Sequence, residues 1–287
     1  MRTETFLTPG AVSLDVRLGA GQVMLEATAT EETTVELEPL RDNDATIAAI
    51  ESARVESLAS GEGHEVVVDV RQRRSGLLGR GPEVLVRVKC PLESSAEVRT
   101  GSADVEGRGL FGSVDVETGS GDVEFGDVSG EAAISAASGD VEVRMIGGEG
   151  RVNSASGDVQ VGFIGGDGSV NTASGDVMIK TAGGSLRVNS ASGDVIVKEA
   201  LSSVGINTAS GDQIVGSVFS DSVDLKSASG DIRVGIKQGS RLFVDARSRS
   251  GEVASELEVS EAAPEGDAPL VELRANTMSG DISITRA

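Results

Sequence analysis

Ten acidic residues recur at near-constant spacing, and they are the side chains in this sequence best placed to do chemistry together. Asp104, Asp122, Asp140, Asp158, Asp176, Asp194 and Asp212 stand 18 residues apart, and Asp231, Glu252 and Asp281 follow at steps of 19, 21 and 29. From Asp140 to Asp212 each one ends a Ser-Gly-Asp triplet. Carboxylates at a fixed period line up in a column when the chain stacks. Such a column could bind a cation, or two of its members could pair as the acid and base of a polysaccharide-cleaving site. The second chemistry needs carboxylates clustered out of register in a groove, whereas these fall in register. A calcium-binding β-roll needs Gly-Gly-x-Gly-x-Asp nonapeptides. Ile146-Gly-Gly-Glu-Gly150 and Ile164-Gly-Gly-Asp-Gly168 begin that way, but Val152 and Val170 fill the Asp position.

The other reactive side chains are isolated. His64 and Cys90 are the only residues of their kinds, 26 positions apart, and no motif joins them. One His alone makes no zinc site, so His64 reads as a surface residue. Cys90 follows the apolar run Val84 to Val88 and reads as a small buried hydrophobe, with no internal disulfide available. Arg71, Arg73, Arg74 and Arg80 form the only basic cluster, read as a solvated Gly-rich loop or, alternatively, as an anionic contact. No catalytic, cofactor-binding or metal-binding residue is therefore assigned. The chain reads as a non-enzyme.

The elements that would position these acids follow from the repeat. A period sustained this long means one supersecondary unit stacked many times. The unit Arg151 to Gly168 holds two strand-like pieces, Val152–Ser154 and Val159–Val161, turned by Ser-Gly-Asp at one corner and Gly165-Gly166 at the other. Neither piece can pair its edges or bury its apolar face alone. Parallel stacking about 4.8 Å apart answers both needs, and ten corners at that rise would span roughly 45 Å. Gly permits positive φ at the bend, while Ser and Asp can bond nearby backbone N–H groups. Asn153, Asn171, Asn189 and Asn207 each sit five residues before a corner Asp and predict an amide ladder. The valines should form core columns, with Phe125, Phe163, Phe219 and Phe243 as fillers.

The fold class is thus all-β: a single-stranded parallel β-helix or solenoid of about 18 residues per coil over 98–287. A strand-rich portion, 1–97, would cap or continue it. Within that portion Val12–Leu18 alternates apolar and polar residues and Gly19-Ala20-Gly21 reads as a turn before Val23 and Leu25. Thr33–Leu37 is a third run, and 42–51 is one short helix capped by Asp42, Asn43 or Asp44. Ala53–Leu58 and Val66–Val70 are further strands, separated by a turn at Gly61-Glu62-Gly63. After Leu257 and Val259, an acidic loop at 261–269 interrupts the rhythm. Leu270–Leu273 and Asp281–Ile284 are expected to close the stack.

Composition narrows the partners. Gly occurs 38 times and there is no Trp or Tyr, which suits thin strands and argues against an aromatic hot spot. The net charge is −21, with 10 basic and 17 acidic side chains in 1–97 and 15 and 29 in 98–287. Neither part offers a basic footprint for nucleic acid. No apolar run reaches the roughly 18 residues that a membrane helix needs, and Met1 to Phe6 has no apolar signal-peptide core. The reading is a soluble, cytoplasmic chain with no direct membrane insertion, although removal of a signal would leave the same sequence.

The corner Ser-Ala-Ser-Gly-Asp-Val, the opening Leu14-Asp-Val-Arg-Leu18 and the tail Met278-Ser-Gly-Asp-Ile282 resemble a bacterial family. These are β-strand-repeat proteins of unknown function catalogued as adhesins, related to the toast-rack-like domains of envelope-stress proteins. The resemblance implies the solenoid and brings no catalytic residues. The expected role is a non-catalytic, adhesin-like or scaffold protein with an unknown protein partner or self-association, needing no cofactor. The alternative is a calcium-stabilised module that uses the Asp corners.

Overall fold

In the computed structural model, the residues described are 1–60, 63–70, 81–219, 221–257 and 269–287. The expected turn residues Gly61 and Glu62, the arginines 71, 73, 74 and 80, Val259 and loop residues 261–268 lie outside them. The chain forms two compact units, 1–147 and 148–287.

The first unit contains β1 (Arg2–Leu7), β2 (Val12–Thr28), β3 (Glu32–Pro39), α1 (Asp44–Ser52), β4 (Arg54–Ser60) and β5 (Gly63–Val70). They are followed by β6 (Val84–Pro91), β7 (Ser95–Phe111), β8 (Val114–Ser120), β9 (Val123–Val128), β10 (Ala132–Ser138) and β11 (Val141–Ile146). β2 is one uninterrupted strand where two strands and a turn were expected. It makes a whole coil, its first half pairing in parallel with β5, its second half with β6, and its full length with β7. The corner survives inside it as Gly21 at φ +129°. Neighbours on both sides hold the strand through the bend, so the ladder does not break there.

Chain order and stacking order differ in this unit. The coil β5–β6 lies outside β2, and the chain then passes over to β7 on the far side. On the outer coil, β4 runs antiparallel to β5 and β3 antiparallel to β6, with β1 antiparallel on β3. The N-terminal portion therefore both continues the parallel stack and covers it. α1 is capped by Asn43, whose Oδ1 accepts the Thr46 N–H at 2.7 Å. Ile50 is buried, but Ile47 is exposed.

The second unit is built from β12 (Gly150–Ser156), β13 (Val159–Ile164), β14 (Gly168–Ser174), β15 (Val177–Ala182), β16 (Leu186–Ser192), β17 (Val195–Ala200) and β18 (Val204–Ser210). Then come β19 (Gln213–Val218), β20 (Asp221–Ser229), β21 (Ile232–Ile236), β22 (Arg241–Ser248), β23 (Val253–Ser255), β24 (Leu270–Ser279) and β25 (Ile282–Arg286). The even strands from β12 to β20 form one parallel ladder and the odd strands from β13 to β21 another, each in strict 18-residue register as far as β19. Valine and isoleucine suit this: β-branched side chains pack well on a pleated surface. Columns such as Val152, Val170, Val188 and Ile206 are essentially inaccessible to solvent.

Two expectations are corrected. β24 and β25 do not close the stack. β24 lies between β20 and β22, and β25 between β21 and β23, so the coil nearest the end is β22–β23. Of the four core phenylalanines expected, only Phe125 is buried, packed edge-on against Phe111 at a centroid distance of 5.6 Å. Phe163, Phe219 and Phe243 are on the surface. Phe163 follows the buried Val159 and Val161 at the period of a strand, but alternation lapses there and Ile164 turns inward instead.

Candidate functional site

The Ser-Gly-Asp corners are the feature with the most repeated chemistry. Gly175, Gly193 and Gly211 take φ of +120°, +119° and +128°. A Cβ on any of them would lie 2.1–2.2 Å from the carbonyl oxygen of the glycine one coil before. Glycine is thus required twice, for the dihedral and for the approach of one coil to the next.

Each corner aspartate then ties its own coil to the following one. In the first unit Asp104 Oδ1 accepts the Asp122 N–H at 3.1 Å, and Asp122 Oδ1 the Asp140 N–H at 2.9 Å. In the second unit the chain of bonds runs from Asp158 through Asp176, Asp194 and Asp212 to Asp231, at 2.8–2.9 Å. It continues past the sequence order: Asp231 accepts from Asp281, and Asp281 from Glu252. Among the described residues Glu252 donates without accepting a further corner N–H. The single glutamate of the series thus stands on the last coil of the described ladder.

These carboxylates stack about 5 Å apart, where like charges in water repel by roughly 1 kcal/mol. A charged acceptor receiving a backbone N–H offsets this with a bond worth about 1.5–3 kcal/mol net. Among the described residues no group of three or more His, Cys, Asp or Glu is arranged to hold a metal ion.

Beside the corners two more columns run coil to coil. The expected amide ladder forms, with Nδ2 of Asn171, Asn189 and Asn207 donating to Oδ1 of Asn153, Asn171 and Asn189 at 3.0, 2.9 and 3.1 Å. Just inside lies a column of buried hydroxyls, Ser154, Thr172, Ser190, Thr208, Ser227 and Thr277. Several close onto the corner backbone, as when Thr172 Oγ1 donates to the Ser174 carbonyl at 3.1 Å. Gln213 replaces valine in the neighbouring core column and donates to Thr208 Oγ1 and to the Lys226 carbonyl.

Cys90 and His64 do not meet among the described residues. Cys90 is buried in β6, and burial pushes its thiol up to about 11, opposed in part by a hydrogen bond with Ser94. His64 is half-buried at the start of β5 rather than on the open surface. On the surface Arg54 bonds Glu56, which holds that carboxyl below its ordinary range.

One concavity was not anticipated. A cleft of about 360 Å³ in the first unit is lined by Met24, Glu26, Thr28, Arg87, Glu106 and Arg108. Both its arginines are paired, Arg87 with Glu36 at 3.3 Å and Arg108 with Glu106. The cleft arises where β7 slips register between Gly107 and Leu110. Gly107-Arg108-Gly109, an interruption of the strand alternation, was its mark in the sequence. No nucleophile and base meet among these lining residues.

A family model described as Toastrack DUF4097 matches residues 13–285. Among solved structures, a candidate cell adhesion protein from Clostridium sporogenes is similar at 8% identity over 100% of this chain and 99% of that one, with a TM-score of 0.29. A candidate lipid binding protein from Parabacteroides distasonis stands at 11%, 99% and 96%, with a TM-score of 0.40. A candidate adhesin from Parabacteroides merdae stands at 10%, 98% and 95%, with a TM-score of 0.32. No curated protein matches. Among the described residues no helix is long and apolar enough to cross a membrane.

Proposed function

This chain belongs to the Toastrack DUF4097 family, and from that premise we propose that it is a non-catalytic, adhesin-like scaffold that displays a rigid, repetitive, acidic surface to a protein partner. The observation that carries this reading is the closed aspartate ladder. Its carboxylates, the most numerous candidates for chemistry, are engaged in holding one coil to the next. A catalytic acid–base pair instead meets within a groove that admits substrate.

Among the outward side chains the asparagines and the corner serines Ser156, Ser174, Ser192 and Ser210 repeat with the coil, and so present the same chemistry at fixed intervals. Rigid repetition of this kind suits contact with another macromolecule better than enclosure of a small one.

The test is incubation with a panel of acidic polysaccharides, read by new reducing ends, alongside thermal unfolding in calcium and in chelator at matched ionic strength. No turnover and superimposable melts are expected. Turnover would overturn the reading, and a calcium-dependent rise of several degrees would favour a cation-stabilised module instead.

A further inference from the structure

The coil β22–β23 ends the second unit differently from the way the outer coil of the first unit is finished. There, β3 and β4 lie antiparallel on the outermost parallel strands, and Val66, Val68, Val84, Val86 and Val88 are fully buried beneath them. Here β22 pairs with β24 on one side, and among the described residues no strand lies on the other. Parallel pairing sends the N–H groups of Arg241 and Arg249 toward β24, at 2.8 and 3.1 Å from the carbonyls of Pro269 and Thr277. Backbone groups alternate along a strand, so Leu242, Val244, Ala246 and Ser248 turn theirs outward. Leu242, Val244 and Ala246 also continue the core columns of Val271, Leu273 and Ala275, yet they are only half-buried where those three are sealed. Val253, in register with the buried Ile282, is 45% exposed.

An eight-residue edge with an apolar inner face is a template for another strand, and proteins ordinarily block such edges. The charges on β22 select the occupant. Asp245 and Arg247 flank Ala246 on the outward face. If a second β22 lies antiparallel with Ala246 opposite Ala246, Asp245 of each copy faces Arg247 of the other. Phe243 then faces Arg249, and the outward backbone groups of Val244 and Ser248 meet as a hydrogen-bonded pair. Centring on Asp245 instead would set that carboxylate against itself, and centring on Val244 would oppose Arg241 to Arg247.

We propose that the edge of β22 is a self-recognition seam, through which two copies of this chain join antiparallel about Ala246 into a closed two-fold dimer. Two-fold pairing consumes the edge on both copies, so assembly stops at two. The inference adds a partner to the scaffold reading and rests on it only for its purpose. The two fail separately: a monomer would leave the display reading standing, and polysaccharide turnover would leave the dimer standing.

The test is sedimentation of the full chain, with variants Asp245→Arg and Arg247→Asp run alone and mixed. The wild type should move from 29.2 kDa to twice that mass as its concentration rises toward on the order of 100 μM, a range typical of small interfaces. Each variant alone should dissociate at least about tenfold more readily, since like charges then face across the seam. An equimolar mixture should recover dimer, because the arginine introduced in one variant then faces the aspartate introduced in the other, and the two unaltered side chains face each other as before. Circular dichroism on each variant checks that the coil still folds, and either variant suffices if the other does not. A wild type that stays monomeric, a dimer indifferent to both substitutions, or growth into longer assemblies would each overturn the proposal.

Discussion

At the scale of single residues, aspartate is required at the corners for its acceptor oxygen rather than for its charge. Asp194 accepts the Asp212 N–H at 2.8 Å, while its own N–H is held by Asp176. Asn keeps that oxygen and Ala does not. Asp194→Asn should therefore cost little, on the order of 0.5 kcal/mol, and Asp194→Ala about 1–1.5 kcal/mol, the net worth of a hydrogen bond that water at this exposed corner replaces only in part. Urea denaturation separates the two, and equal losses would mean that charge itself matters. A second residue-scale consequence concerns Cys90. Its folded pKa, raised to about 11 by burial, lies above the roughly 8.5 of an unfolded thiol. The neutral thiol therefore contributes full stability below about pH 8.5 and loses it as pH climbs toward 11. Relative to Cys90→Ala, the wild type should lose about 2–3 kcal/mol across that window, measured as the difference in unfolding free energy at pH 8 and 11.

At the scale of strands and coils, the repeat was legible because its demands are local. A corner that brings one backbone within 2.1 Å of where a Cβ would stand admits only Gly, and the next coil's N–H calls for a short acceptor, so Gly-Asp is written out in nearly every coil. The Asn ladder was readable for the same reason. Stacking order was not, because β22 and β24 both alternate apolar and polar residues and either could lie against β20. What separates them is a full Ser-Gly-Asp at 279–281 against Ser-Gly-Glu at 250–252. The longer acid stands where, among the described residues, no further corner N–H is held. Phe243 misled for a related reason: Leu242 and Val244 take the inward positions on either side of it, which puts the aromatic on the outward row with Asp245. The cleft beside Arg108 was missed because a register slip in β7 leaves only a Gly-x-Gly trace.

At the scale of the whole molecule, the consequence of such local demands is that each coil of the second unit answers mainly to its two neighbours, through backbone ladders, the aspartate chain and the amide column. Stability in such an array is close to a sum of coil terms and interface terms, so an internal coil can be removed if register is kept. Deleting residues 169–186 joins Gly168 to Arg187, the residue that follows the equivalent position one coil later. Asn171 and Asp176 leave together, and Asn189 and Asp194 inherit their partners Asn153 and Asp158. Deleting ten residues, 169–178, would instead break the pleat: Lys180 would fall on the Val152 column and Arg187 on the Val159 column, with Ile179 and Val188 turned outward. The 18-residue deletion should fold cooperatively, with a melting temperature within a few degrees of the parent. The ten-residue deletion should not, although it removes less. Circular dichroism melts of both decide the matter. If the shorter deletion were the better tolerated, the coil would not be the unit on which this molecule is built.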